Sequence, residues 1–160
     1  MSLKNEFESV HRQFQGMVFQ LCLGFTKGDS AAAQDLSQEV FVNTWNALSS
    51  FEGKSSHKTW IYRITVNTCL MQLRKQKRMP TDRLENVKVN PEADTVADHN
   101  YNELYAAIGK LAEVDRLLIM LVLDELSYDE IADIMGINPG NLRVKIHRVK
   151  EKLKKIMSNE

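Results

Sequence analysis

The sequence predicts an all-α protein of two small helical domains joined by a flexible linker. Three observations predict it. Apolar residues recur at threes and fours over most of the 160 residues, the period of helices with one buried face. That period fails from Met79 to about Asn100, where Pro80, Pro91 and the acids Asp82, Glu85, Glu92, Asp94 and Asp98 gather, a composition suited to a linker. Near the end, Ser127–Lys155 reads as a short helix, a glycine turn and a longer basic helix, the layout of a helix-turn-helix.

Taken in order, Leu3, Phe7, Val10, Phe14, Met17, Leu21 and Phe25 mark a long first helix, amphipathic by its spacing. Lys27-Gly28-Asp29 breaks it, and Ser30 is placed to cap the next. In that second helix Leu36, Val40, Phe41, Thr44, Trp45 and Leu48 lie towards one face, with Asp35, Gln38 and Glu39 beside it as an acidic and amide patch. Such a patch suits a basic partner, although charged faces are most often merely solvated. Phe51–Ser56 reads as a loop. From Gly53 to Thr81 no acid occurs, while Lys54, Lys58, Arg63, Arg74, Lys75, Lys77 and Arg78 accumulate. Lys58–Arg78 is expected to be one helix. Arg63, Asn67, Arg74 and Arg78 share a side, with Trp60, Ile64 and Met71 next to it and Tyr62, Val66, Cys69 and Leu73 on another. A basic strip between two apolar stripes attracts phosphate, and aromatics beside it can stack bases. Trp60 in such a place is more often core than a stacking platform.

Beyond the linker, Leu104, Ile108 and Leu111 mark a short helix, and Arg116–Glu125 is too apolar all round to be anything but a core helix. Ser127 and Glu130 then make an S-x-x-E capping box. Gly136 supplies a left-handed end, Asn138 a second cap, and Pro139 stands where its missing N–H costs nothing. Leu142, Ile146, Val149, Leu153 and Ile156 form one stripe of the last helix. Off it lie Arg143, Lys145, Arg148, Lys150, Lys152, Lys154 and Lys155 against the one acid Glu151.

Net charge is zero, yet it is segregated. Residues 1–80 carry 10 Lys+Arg against 6 Asp+Glu, and 81–109 carry 2 against 6. Pro139–Lys155 carries 7 against 1. Two basic blocks around an acidic one suggest two nucleic-acid-facing surfaces. No apolar run approaches the roughly 18 residues of a spanning helix, and MSLKNEFESV lacks the apolar centre of a signal peptide, so an intracellular protein without membrane insertion is expected. Cys22 and Cys69 have no C-x-x-C spacing and read as buried thiols. His11, His57, His99 and His147 are scattered without metal-ligand spacing, and no Gly-rich phosphate loop or nucleophile motif occurs. No enzyme, cofactor, metal or small-molecule substrate is therefore expected.

The chain as a whole resembles the extracytoplasmic-function (ECF) sigma factors of the sigma-70 family. Ala33–Trp45, AQDLSQEVFVNTW, is similar to the helix that in this family binds the polymerase clamp, and Lys58–Arg78 to the segment that opens and reads the promoter −10 element. Leu126–Leu153 resembles the −35-reading domain. The resemblance implies a sigma domain 2 helical bundle over 1–79, an acidic linker over 80–100 and a sigma domain 4 helix-turn-helix over 101–160. It implies that Asp35, Gln38 and Glu39 dock on the coiled coil of the β′ clamp of core RNA polymerase. Lys58, Trp60, Arg63, Asn67, Arg74 and Lys75 would hold the −10 strand, with the Phe51–His57 loop supplying a pocket for a captured base. Asn141, Arg143, Lys145, His147, Arg148 and Lys150 would face the −35 duplex. It also implies promoter DNA as partner, control by an anti-sigma factor and a cytoplasmic location. His57, Met71, Asn141 and Val144 depart from the family's usual residues, which leaves the promoter sequence open.

Arg suits guanine and Asn adenine in the major groove, while Lys150, Lys152 and Lys154 would position on phosphates without specifying. The competing reading is an autonomous helix-turn-helix regulator with an N-terminal helical sensor, which would bind duplex tightly without polymerase.

Overall fold

Seven helices account for the residues that the computed structural model describes, 2–78 and 99–158. The first, α1 (Leu3–Phe25), starts at Ser2, whose hydroxyl accepts from the Asn5 N–H at 3.1 Å. It ends at Thr26, whose hydroxyl returns to the Cys22 carbonyl at 2.8 Å. Lys27 and Gly28 take left-handed φ values of 61° and 82° to reverse the chain. The cap of α2 (Ser30–Leu48) is Asp29, accepting from the Ala32 N–H at 3.1 Å, and not the expected Ser30, which is the first helical residue. Both types cap well; here the carboxylate is the one in reach. The third helix, α3 (His57–Arg78), completes a bundle with α1 and α2.

The second unit is α4 (His99–Gly109), α5 (Glu113–Leu123), α6 (Tyr128–Met135) and α7 (Pro139–Ser158). The core helix α5 begins three residues before the expected Arg116, and Leu117–Leu121 are all buried. Leu123, placed in the core from sequence, is 45% exposed at its end. In α1 the core stripe takes in Val18 as well as the expected buried thiol of Cys22, while Leu3, in the first turn, is exposed. Met71 and Trp45, expected to be packed on apolar faces, are exposed as well. The expected linker at 80–100 lies outside the described residues except for its last two, which begin α4.

The two units share one apolar core. Phe14, Leu21 and Phe25 of α1 belong to the same cluster as Leu117, Met120 and Leu121 of α5. Gly24 lets the helices meet: a Cβ there would stand 2.5 Å from the Met120 Sδ. Arg116 is buried across the seam, donating through Nε to the Phe25 carbonyl at 2.9 Å and through Nη1 to the Leu111 carbonyl at 2.7 Å. Its guanidinium also lies 5.7 Å from the Phe25 ring centroid. The positive group thus satisfies a carbonyl at the negative end of α1. Burial pulls its pKa below the ordinary arginine value, opposed by Glu113.

Candidate nucleic-acid interface

The helix-turn-helix is built by local signals. The Glu130 N–H donates to the Ser127 hydroxyl at 3.1 Å, and the Ser127 N–H to the Glu130 carboxylate at 3.2 Å, the reciprocal pair of a capping box. Gly136 closes α6 at φ 68°, ψ 34°, a conformation glycine adopts without a Cβ clash. The Asn138 side chain then accepts from the Gly140 N–H at 2.9 Å as α7 begins at Pro139. Leu142, Ile146, Val149 and Leu153 bury one side of α7, which turns the remaining face outward.

All six predicted residues of α7 lie on that outward face. Asn141, Arg143, His147, Arg148 and Lys150 are exposed and Lys145 half-buried. They divide into two flanks. Asn141, Lys145 and Arg148 line a polar cavity of about 460 Å³ with Lys152 and Asp115 of α5. Lys152 approaches the Asp115 carboxylate at 3.8 Å. On the other flank the Arg143 guanidinium sits 5.7 Å from the Tyr128 ring centroid, a cation–π contact.

The six predicted residues of α3 are less alike. Asn67, Arg74 and Lys75 are open to solvent. Lys58 is also exposed, but at about 100° per residue it falls on the opposite side from Asn67. Trp60 is half-buried in an aromatic group with Phe51, 4.7 Å between centroids, and Phe51 in turn stacks on His57 at 4.8 Å. The loop expected to hold a captured base is thus anchored by rings, with His57 also 3.5 Å from Glu6 of α1. Arg63 is taken: its guanidinium bonds and pairs with Asp133 of α6. Next to it Tyr62, 1% exposed, donates to the Asp124 carboxylate at 2.7 Å. Burial and that carboxylate push the Tyr62 pKa well above the ordinary tyrosine value.

On α2, Asp35, Gln38 and Glu39 are all exposed and, three and four residues apart, lie side by side on a ridge between two hollows. Asp35 and Glu39 line a cavity of about 480 Å³ between the units, facing Lys27, Gln76, Glu113 and Arg116. Gln38 lies in a wider, apolar groove of about 840 Å³ between α1 and α2, with Phe19, Phe41, Val42 and Trp45. The Phe7 ring meets Trp45 edge-on at 5.3 Å, and His11 meets Phe41 at 4.5 Å. Val42 and Trp45, 58% and 47% exposed, were missed as surface residues. Their spacing of four and seven from Gln38 was the available signal.

Cys22 and Cys69 are both fully buried, and the Cys69 thiol is held above its ordinary pKa by hydrogen bonding with Cys22 and by burial. Among the described residues no His, Cys, Asp or Glu side chains converge to hold a metal, and no helix is long and apolar enough to cross a membrane.

Two family descriptions match the chain: Sigma-70 region 2 over residues 10–79 and Sigma-70, region 4 over residues 101–153. The ECF RNA polymerase sigma-E factor of Escherichia coli (strain K12) is 36% identical over 137 residues, covering 76% of this chain and 72% of that protein. The RNA polymerase sigma-H factor of Pseudomonas aeruginosa is 29% identical over 170 residues, 96% of this chain and 87% of its own. ECF RNA polymerase sigma factor SigW of Bacillus subtilis is 29% identical over 167 residues, with 95% and 89% covered. Among solved structures, the sigma factor RpoE in complex with the anti-sigma factor NepR from Bartonella quintana shares the fold. Its TM-score is 0.80 at 20% identity, over 96% of this chain and 97% of that one. CnrH in complex with the cytosolic domain of CnrY does so at a TM-score of 0.70 and 22% identity, over 98% and 90%. The chain belongs to the sigma-70 family and is an ECF RNA polymerase sigma factor.

Proposed function

We propose that this sigma factor divides promoter recognition between its two helical units. Residues 1–79 bind core RNA polymerase and open the −10 element, residues 101–160 read the −35 element, and 80–100 connect them. The observation that carries this reading is α7: one buried stripe, six polar or cationic side chains outward, and a capped turn that fixes its angle. A helix so presented enters the major groove. Asn141, Arg143 and Arg148 are suited to base edges, and Lys145, His147 and Lys150 to phosphates.

On α3, Asn67, Arg74 and Lys75 hold the separated strand, with Trp60 offering a ring beside the loop and Lys58, on the opposite side of the helix, adding only its charge. Arg63 joins them once Asp133 releases it. The closed packing of the two units is therefore the resting form. A separated strand cannot use Arg63 while Asp133 of α6 holds it, and Asp124 after α5 holds Tyr62 beside it. Binding to polymerase separates the units, and Asp35, Gln38 and Glu39 make the contact with the β′ clamp coiled coil. Asp35 and Glu39 are already exposed beside the cleft between the units, and opening makes room there for a partner as wide as a coiled coil. The protein acts in the cytoplasm as a regulatory subunit with no catalysis of its own. An anti-sigma factor that favours the closed form would keep it off polymerase.

The test is a pull-down on core RNA polymerase followed by run-off transcription. Retention on core and a discrete start site are expected. Tight, sequence-specific duplex binding by the chain alone, with no retention on core, would overturn the reading in favour of an autonomous regulator.

A further inference from the structure

One residue of the recognition helix has no task in the fold. Val144 is 50% exposed on α7. At about 100° per residue, it falls within about 20° of the point diametrically opposite the buried stripe Leu142, Ile146, Val149 and Leu153. It is the crest of the helix. A β-branched side chain there lowers helix propensity and leaves apolar surface in water, with no packing on the rest of the core to offset either.

Its neighbours sharpen the point. Gly140, one turn before, adds no side chain to the crest, so the helix can approach closely. Arg148, one turn after, is an exposed cation. Arg143, on one flank, is drawn to the side by the Tyr128 ring. A helix seated in the major groove pushes its crest deepest, to the base edges and past the phosphates. Val144 has no donor or acceptor. The group in that groove which an isopropyl can recognise is the 5-methyl of thymine.

We propose that Val144 is a specificity-determining residue that reads a thymine methyl in the upstream promoter element. The inference rests on the assignment of α7 to the −35 duplex and adds one base of its sequence. The chain, loaded on core RNA polymerase, is used to select duplexes from a pool randomised over the upstream element. Selection fixes a thymine at one position. Uracil there, which removes the methyl alone, weakens binding by roughly fourfold. Val144→Ala and Val144→Ser, both at an exposed site and checked for folding by circular dichroism, bind thymine and uracil equally. A defined element in which every thymine can be replaced by uracil without loss would overturn this inference and leave the −35 assignment standing. So would a methyl effect as large in Val144→Ala as in the parent. A loaded polymerase that selects no upstream sequence would overturn the assignment and the inference together.

Discussion

The two basic helices, α3 and α7, carry similar residues and meet different constraints. On α7 the buried side chains make one stripe, and the cations stand opposite, open to solvent. On α3 the buried set Ile61, Tyr62, Thr65, Val66, Thr68 and Cys69 spans a broad arc, and the other unit engages one of that set and the cation next to it. Tyr62 is bonded to Asp124 and Arg63 to Asp133. Charge alone does not make a helix available: α7 is ready to bind and α3 is partly occupied. In this molecule the occupant is the very unit that carries α7.

That contrast can be broken at the seam. Arg116→Met removes the donor to two buried carbonyls at the junction of α1 and α5 and should cost about 2–4 kcal/mol. Urea denaturation reads it, and an unchanged midpoint would show that water replaces the guanidinium. On the open helix, Arg143→Ala should lose about 1–3 kcal/mol of discrimination at one base pair. Lys150→Ala should weaken all sequences alike and lower the salt slope by about 1; competition binding of the loaded polymerase separates the two.

On the occupied helix, Tyr62→Phe should cost about 1 kcal/mol. It also tests a pH dependence. The folded Tyr62 pKa is raised above the ordinary value of 10.0, so its contribution is complete below pH 10 and is lost as pH rises beyond it. The parent should therefore lose more stability than Tyr62→Phe between pH 10 and 11, followed by thermal melting; parallel curves would refute the assignment. The smallest effect is expected from Asp133→Ala. The pair is 35% and 54% exposed, so its loss should cost under about 1 kcal/mol. Freeing Arg63 should nonetheless raise affinity for a single-stranded −10 oligonucleotide about two- to fourfold, measured by fluorescence anisotropy.

What the sequence disclosed follows the range of the forces involved. The helix-turn-helix was legible to the residue because Ser127, Glu130, Gly136, Asn138 and Pro139 act within one turn of themselves. The choice of Asp29 over Ser30 as cap was not, since both satisfy the same rule and only geometry separates them. The pairs Tyr62–Asp124, Arg63–Asp133 and Arg116 to the Phe25 carbonyl join residues 62, 70 and 91 apart. No local pattern reports them, and with them the closed packing stayed hidden. Trp45 misled for another reason. Its spacing is that of a core residue, but the face it occupies is the wall of a groove. A helical wheel likewise does not show that Asp35 and Glu39 of the exposed patch border a second unit.

The two cysteines offer a practical handle. Cys22 and Cys69 are the whole complement of the sequence, both are sealed in the first bundle, and the Cys69 thiol is held protonated. Thiolates, not buried thiols, react with maleimides. A cysteine introduced on the outer face of α2 and another on α7 would therefore take dyes selectively in the otherwise native chain. Energy transfer between the dyes would then follow the separation of the two units in real time as polymerase is added.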